Sequence, residues 1–216
     1  MDRAILHEQI AFYRARAPEY DQSLATRDQL ERVKHALRMM GPFEHIVELA
    51  CGTGLWTSEL VNIGGAITAI DASPEMIAIN RGRVADARVM YRHADLFAWE
   101  ADREYDFLFA AFWLSHVPPD LLDGFLQRIG RAVRRGGQIF LVDQCNDIAD
   151  DLQGHQEGIL QRRSVADGRT FAIVKVYYHP MLLAKKLGEY GFEAAAQREG
   201  ESFFTICGRR TMTPKS

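Results

Sequence analysis

From Ile46 onward, short apolar runs alternate with longer stretches whose apolar residues recur three and four positions apart. Short runs of this kind suit strands buried on both faces, and the longer period suits helices covering them. The pattern predicts strands at Ile46–Ala50, Ala66–Ile70, Arg88–Arg92, Tyr105–Ala110 and Gln138–Asp143, with helices near Leu55–Ile63, Pro74–Val84 and Asp120–Val133. Ser73-Pro74 supplies an N-cap and a first-turn proline for the second of these helices, while Gly64-Gly65 and Gly136-Gly137 are expected to end the first and third. Strand and helix in alternation give the fold class: α/β, doubly wound, with a seven-stranded mostly parallel sheet and an antiparallel last strand.

Residues 1–40 read as helical segments broken at Ala17-Pro18, a helical lid ahead of a main domain over 41–210 within one overall domain. The polar stretch Gln144–Gly158 reads as loop plus helix. Ser164-Val165-Ala166 and Thr170–Tyr177 then alternate strictly about Asp167-Gly168, which predicts a β-hairpin inserted at about 159–178. Pro180–Tyr190 reads as a helix ended by Gly191. Phe192–Gln197 and Phe203–Cys207 read as the closing strands.

Composition narrows the function. A chain of 216 residues supports one core without staples. A net charge of −3 gives no general attraction for nucleic acid. The cluster Arg131, Arg134 and Arg135 is read as cations at the negative end of a helix before Gly136. Three cysteines, Cys51, Cys145 and Cys207, are odd in number and lack Cys-x-x-Cys spacing, so neither a disulfide framework nor a metal site is expected. The N-terminal residues lack the apolar core of a signal peptide and no run reaches membrane-spanning length. The reading is therefore cytoplasmic, with no membrane or nucleic-acid partner, a small-molecule substrate, and a monomer or homodimer.

The candidate chemistry starts at Ile46-Val47-Glu48-Leu49-Ala50-Cys51-Gly52-Thr53-Gly54, a strand running into a glycine turn and a helix. Such a turn admits close approach of a nucleotide-like ligand and presents free N–H groups, and dinucleotide-binding dehydrogenases share it. Thr57 stands where the dinucleotide fingerprint has its third glycine, which weighs against a nicotinamide oxidoreductase. Glu48, inside the strand, suits a ligand with an amino or cationic group, or else caps the N–H groups of the turn. Asp71, ending the second strand, is placed for both hydroxyls of a ribose, a role that NAD would also satisfy.

Taken together, Val47 to Gly54, Asp71-Ala72-Ser73-Pro74-Glu75-Met76 and His93-Ala94-Asp95-Leu96 resemble the successive cofactor motifs of class I S-adenosylmethionine (SAM)-dependent methyltransferases, over roughly residues 44–143. The resemblance implies SAM as cofactor and S-adenosylhomocysteine (SAH) as product. It further implies Gly52 and Gly54, with Ala50, beside the methionine portion, Asp71 on the ribose, and Asp95 on the adenine amino group. Ala72, Met76, Leu96 and Phe97 would surround the adenine. Tyr13, Arg14 and Tyr20 resemble a lid reaching the SAM carboxylate, for which an arginine offers a charge-assisted bond.

Methyl transfer needs a positioned nucleophile and, for a hydroxyl, removal of its proton. The segment Ala111-Phe112-Trp113-Leu114-Ser115-His116-Val117-Pro118-Pro119 follows the fourth strand, with Phe112 on the cofactor side and Trp113 offering aromatic surface to a planar acceptor. His116, whose ordinary pKa suits a base, is the candidate catalytic residue. Lys175, Tyr177, Tyr178 and His179 of the hairpin are expected to wall the substrate pocket or to make a dimer contact. The expectation is an O- or N-methyltransferase of a small, planar metabolite; the alternatives are the oxidoreductase and a SAM-binding protein without transfer activity.

Overall fold

A computed structural model describes residues 2–23, 27–145, 159–200 and 202–211. Seven strands form one sheet: β1 (Phe43–Leu49), β2 (Gly64–Asp71), β3 (Val89–His93), β4 (Tyr105–Ala111), β5 (Val133–Gln144), β8 (Phe192–Glu199) and β9 (Phe203–Arg210). Their order is β3-β2-β1-β4-β5-β9-β8, with β3 through β5 mutually parallel and both pairings of β9 antiparallel. The chain fills one side of β1 with β2 and β3 before crossing to β4 on the other. That reversal opens a crevice at the carboxyl ends of β1 and β4.

Alternation along the strands divides the core between the two faces. Leu108, Ala110, Ile139 and Leu141 pack beneath Leu122, Phe125 and Ile129 of α5 (Pro119–Ala132) and Leu183 and Leu187 of α6 (Pro180–Leu187). Phe107, Phe109, Phe140 and Val142 face Leu30, Val33 and Leu37 of α2 (Arg27–Arg38) with Trp56 and Leu60. Burial on both faces accounts for strands that read as continuous apolar runs.

The structure shifts three boundaries. Only Thr57–Leu60 forms α-helix (α3), because the chain tightens into i→i−3 bonds, Asn62 N to Glu59 O at 3.1 Å and Ile63 N to Leu60 O at 3.0 Å. Gly64-Gly65 then opens β2, where a Cβ on Gly64 would lie 2.5 Å from Ile46 Cδ1. Gly136-Gly137 likewise lies inside β5: the helix before it ends at Ala132, and Gly136 adopts φ +74° beside a register shift against β4. Arg134 and Arg135 accordingly belong to the strand, and of the three arginines Arg131 alone lies in the last turn of α5.

The N-terminal segment consists of α1 (Arg3–Arg16), a 3-10 turn over Ala17–Ser23, and α2. A separate hairpin, β6 (Leu160–Ser164) and β7 (Thr170–Val174), turns at Gly168. Helix α1 lies along the open edge of β7: Glu8 accepts from Ala172 N at 2.6 Å and Gln9 from Val174 N at 2.9 Å. Side chains of α1 thus satisfy donors that an edge strand leaves bare. Lys175 to Tyr178 run on from β7 against the segment after β4, through Val176 N to Ser115 O at 2.8 Å. The expected loop and helix over Gln144–Gly158 lie almost wholly outside the described residues. Among the described residues no helix is long and apolar enough to cross a membrane, and no cluster of His, Cys, Asp and Glu is arranged for a metal.

Candidate functional site

The turn after β1 takes a left-handed path, with φ +54° at Ala50, +51° at Gly52 and +93° at Gly54. Glycine takes this path without strain at positions 52 and 54. Asp71, at the end of β2, accepts from Gly52 N at 2.9 Å and from Ser73 N at 2.8 Å, so one carboxylate ties the glycine turn to the next. Burial raises its pKa, and the three backbone N–H donors of Gly52, Ser73 and Ala72 oppose that shift. Its oxygens retain lone pairs toward the crevice.

Glu48 does not reach the crevice. It accepts from Thr57 Oγ1 at 2.6 Å, Thr57 accepts from Asn80 Nδ2 at 2.8 Å, and Asn80 Oδ1 accepts from Tyr91 Oη at 2.9 Å. Asn80 Nδ2 also reaches Cys51 O at 3.3 Å. This buried network supports the turn from below, and desolvation pushes the Glu48 pKa up to about 8. A Cβ on Gly54 would meet Asn80 Oδ1 at 2.6 Å, so Gly54 is required for the packing of α4 (Pro74–Val84) against the turn rather than for access from the crevice.

A cavity of about 570 Å³ opens over this turn. Of the residues singled out in the sequence, Tyr13, Tyr20, Ala50, Gly52, Asp71, Ala72, Met76, Leu96, Phe112, Trp113 and His116 line it. Gln9, Ile10 and Ser73, which periodicity alone does not distinguish from ordinary helix and cap residues, line it too. Arg14 is turned away into an ion pair with Glu75 at 2.8 Å, which holds the Glu75 carboxyl down at about 2. Asp95 is exposed and caps Phe97 N at 2.9 Å, and Phe97 packs its ring 5.3 Å from that of Trp113. Tyr178 is corrected to a structural residue, its hydroxyl donated to Val117 O at 2.7 Å within the core. Tyr177 stands 5.3 Å from the Lys175 ammonium and outside both cavities.

The lid reaches the turn through Asp21, which accepts from Thr53 Oγ1 at 2.6 Å and pairs with Arg83. At the junction of lid and sheet, Tyr13 Oη lies 2.6 Å from His116 Nε2, and His116 Nδ1 lies 2.7 Å from Val174 O. A carbonyl only accepts, so Nδ1 carries the ring proton and Nε2 accepts from Tyr13. Gln9 Nε2 donates to His116 O at 3.3 Å, so α1 and β7 together fix this ring. Burial, and secondarily the Lys175 charge, push the His116 pKa down to about 3. This corrects the expectation of a histidine titrating near neutrality: His116 is neutral and weakly basic. Burial also raises Tyr13 well above its usual range and Tyr20 to about 12.

A second cavity, of about 870 Å³, shares Tyr13, Tyr20, Phe112 and His116 with the first. Phe12, Leu30, Ile173 and Phe203 give it apolar walls, and Arg16, Arg163, Lys175 and Gln144 its polar ones. Phe112, at φ +57°, stands at the junction, its amide held by Val142 O at 2.7 Å. A non-glycine residue in that region is strained, and the ring is kept there by Trp56 and Phe203, at centroid distances of 6.4 and 5.3 Å. Of the second cavity's cationic residues, Lys175 was marked by its place on the alternating strand and Arg16 was part of the lid. Nothing in the strand pattern distinguished Arg163.

The first cavity combines a glycine turn, a strand-end carboxylate and apolar and aromatic walls, a combination suited to a nucleoside. The second meets it at Tyr13, Tyr20, Phe112 and His116. The family described as Methyltransferase domain matches residues 46–137. Over 99% of this chain and 100% of the other, the structure is similar to DhpI in complex with SAH, with a TM-score of 0.86 and 33% identity; DhpI is also known in a SAM-HEP complex. A ubiquinone biosynthesis O-methyltransferase of Xanthomonas oryzae pv. oryzae is 27% identical over 117 residues, 52% of this chain and 47% of that protein, so the match spans about half of that relative. The 1,6-didemethyltoxoflavin-N1-methyltransferase of Burkholderia thailandensis shares the fold at a TM-score of 0.68 and 18% identity, over 97% of this chain and 88% of that one. The turn, the strand-end carboxylate and full-length similarity to a methyltransferase-fold protein bound to SAH agree: the chain belongs to the class I SAM-dependent methyltransferases, with SAM as its cofactor.

Proposed function

We propose that the protein methylates an oxygen or nitrogen of a small, flat metabolite held in the second cavity. The observation that carries this reading is the shared wall: Tyr13, Tyr20, Phe112 and His116 belong to both cavities, so an acceptor in one faces a cofactor in the other across a few side chains. Apolar and aromatic walls from Phe12, Phe112 and Phe203 suit a flat acceptor. The Xanthomonas relative is named an O-methyltransferase and the Burkholderia protein an N1-methyltransferase, in keeping with either acceptor atom.

In this reading Asp71 accepts the ribose hydroxyls, the Gly52 turn faces the methionine portion, and Ala72, Met76 and Leu96 pack on the adenine, with Asp95 at its edge. When bound, SAM supplies an electrophilic methyl group on its sulfonium. The chain's own residues orient the acceptor: Tyr13, donating to His116, has hydroxyl lone pairs free to accept a bond from an acceptor O–H or N–H. His116, held neutral, orders that hydroxyl and is a positioning residue, too weakly basic to remove a proton first. Tyr13 and Tyr20 close the site and exclude water.

The test is incubation with methyl-labelled SAM and a dialysed or undialysed extract of host metabolites. Label in a diffusible compound supports the reading; label confined to macromolecules, or none at all from enzyme that binds SAH, overturns it.

A further inference from the structure

We propose that the second cavity recognises an acceptor carrying an oxyanion, a carboxylate or a phosphoryl group, held by Lys175, Arg163 and Arg16; this rests on the reading of that cavity as the acceptor site. Three elements bring these cations together: Arg16 ends α1, Arg163 lies on β6, and Lys175 follows β7. No carboxylate among the described residues lines the cavity with them.

Lys175 is the anchor of the argument. It is 7% exposed, and among the described residues it donates to Ser115 Oγ at 2.9 Å and lies over the face of Tyr177. An ammonium has three donors, and among the described residues no carboxylate lies within ion-pair distance of this one, a costly arrangement for a buried charge unless a counter-ion arrives. Asp143, whose oxygens accept from Ser115 N at 2.8 Å and Gln144 N at 2.7 Å, moderates the charge, and it does not line the cavity. Burial lowers the Lys175 pKa and Asp143 opposes that shift. Arg16 lies over the rings of Phe12 and Tyr20, at 5.6 and 6.0 Å, which fixes its guanidinium at the wall. Arg163 is exposed, held by Gln161 Oε1 at 2.7 Å, and available to a bidentate contact. The cations share this cavity with the apolar walls of Phe12, Leu30, Ile173 and Phe203, a mixed lining that suits a small anion with an apolar body.

The experiment titrates inorganic phosphate, benzoate and neutral benzamide into SAH-saturated enzyme by calorimetry, with wild type, Lys175→Met and Arg163→Gln. Arg163, being exposed, guards against a Lys175 variant that fails to fold. At least one anion is expected to bind while benzamide binds at least ~10-fold more weakly than benzoate or phosphate. Each variant is expected to lose about 10-fold in anion affinity, the loss of one charge-assisted bond, with SAH affinity unchanged within about twofold. Phosphate binding alone assigns a phosphoryl group and benzoate binding alone a carboxylate. Binding of neither anion, benzamide binding as well as the anions, or full anion affinity in both variants overturns the proposal. Methyl transfer to extract metabolites, followed on the same preparations, reports the acceptor-site reading separately: anion binding without transfer sinks that reading and not this cavity chemistry.

Discussion

The two cavities are adjoining halves of one crevice built in opposite ways. The cofactor half has its base in two strand ends and their turns, where the Asp71 carboxylate ties Gly52 to Ser73, and Gln9, Ile10, Tyr13 and Tyr20 of the lid close over that base. The half proposed for the acceptor draws single side chains from α1, β6, β7, β9 and the segment after β4, so that the residues meeting in it span the chain from Phe12 to Phe203. A site of the first kind is set by the fold, and any chain with these strands and this turn will carry it. A site of the second kind depends on the lid and hairpin packing against each other, and its chemistry changes with single residues.

Ordered from the largest effect, five substitutions test that contrast. Asp71→Ala removes both the ribose acceptor and the tie between the turns, and is expected to weaken SAH binding about 100-fold by calorimetry; affinity within about threefold of wild type would mean that the strand-end carboxylate does not organise this half. Tyr13→Phe acts where the two halves meet and should lower kcat about 10-fold or more while the KM for SAM moves less than about twofold. With His116 at about 3, its kcat profile should show no rise near pH 6.5; such a limb, abolished in His116→Asn, would restore the histidine as a base.

Glu48 titrates beneath the cofactor half. Its folded pKa of about 8 lies above the unfolded carboxylate value of about 4.3, so its neutral form favours folding at low pH and that contribution is lost as pH rises through 8. The melting temperature of wild type should therefore fall between pH 5 and 8 by about 3 °C per unit more than that of Glu48→Gln. Parallel curves for the two proteins would show that the carboxyl is not held neutral. The smallest effect belongs to Arg14→Ala: its pair with Glu75 is about half exposed, so Tm should shift by about 1 °C or less and the KM for SAM by less than about threefold. A large KM change would return Arg14 to the cofactor.

Much of the cofactor half was legible before any coordinates, because its signals are local. Glycines that need positive φ, an acid ending a strand, and Ser73-Pro74 capping the next helix each declare themselves within a few residues. Where local reading misjudged residues, the cause was a neighbour distant in sequence. Glu48 was read as facing a ligand, and its partner is Thr57 under the turn; Gly54 is a glycine because Asn80 approaches it; Gly64 is a glycine because Ile46 does. The glycines ended no helix there, since Ile67 to Ile70 extend backward into a strand whose pairing begins at Gly64.

The sequence by itself determined the doubly wound sheet, the glycine turn and the acid that ends the second strand, since hydrophobic period, turn chemistry and capping are properties of short segments, and the resemblance of its successive motifs to a known family supplied the cofactor. Tertiary structure alone decided which side chains meet across the crevice. It set the neutral Tyr13 and His116 pair, sent Arg14 to Glu75 and Tyr178 to the core, and brought Lys175 and Arg163 to one wall with Arg16. Those outcomes follow from burial and from partners supplied by remote segments. The strength of a charge, the pKa of an imidazole and the direction of a side chain all depend on what the fold places beside them.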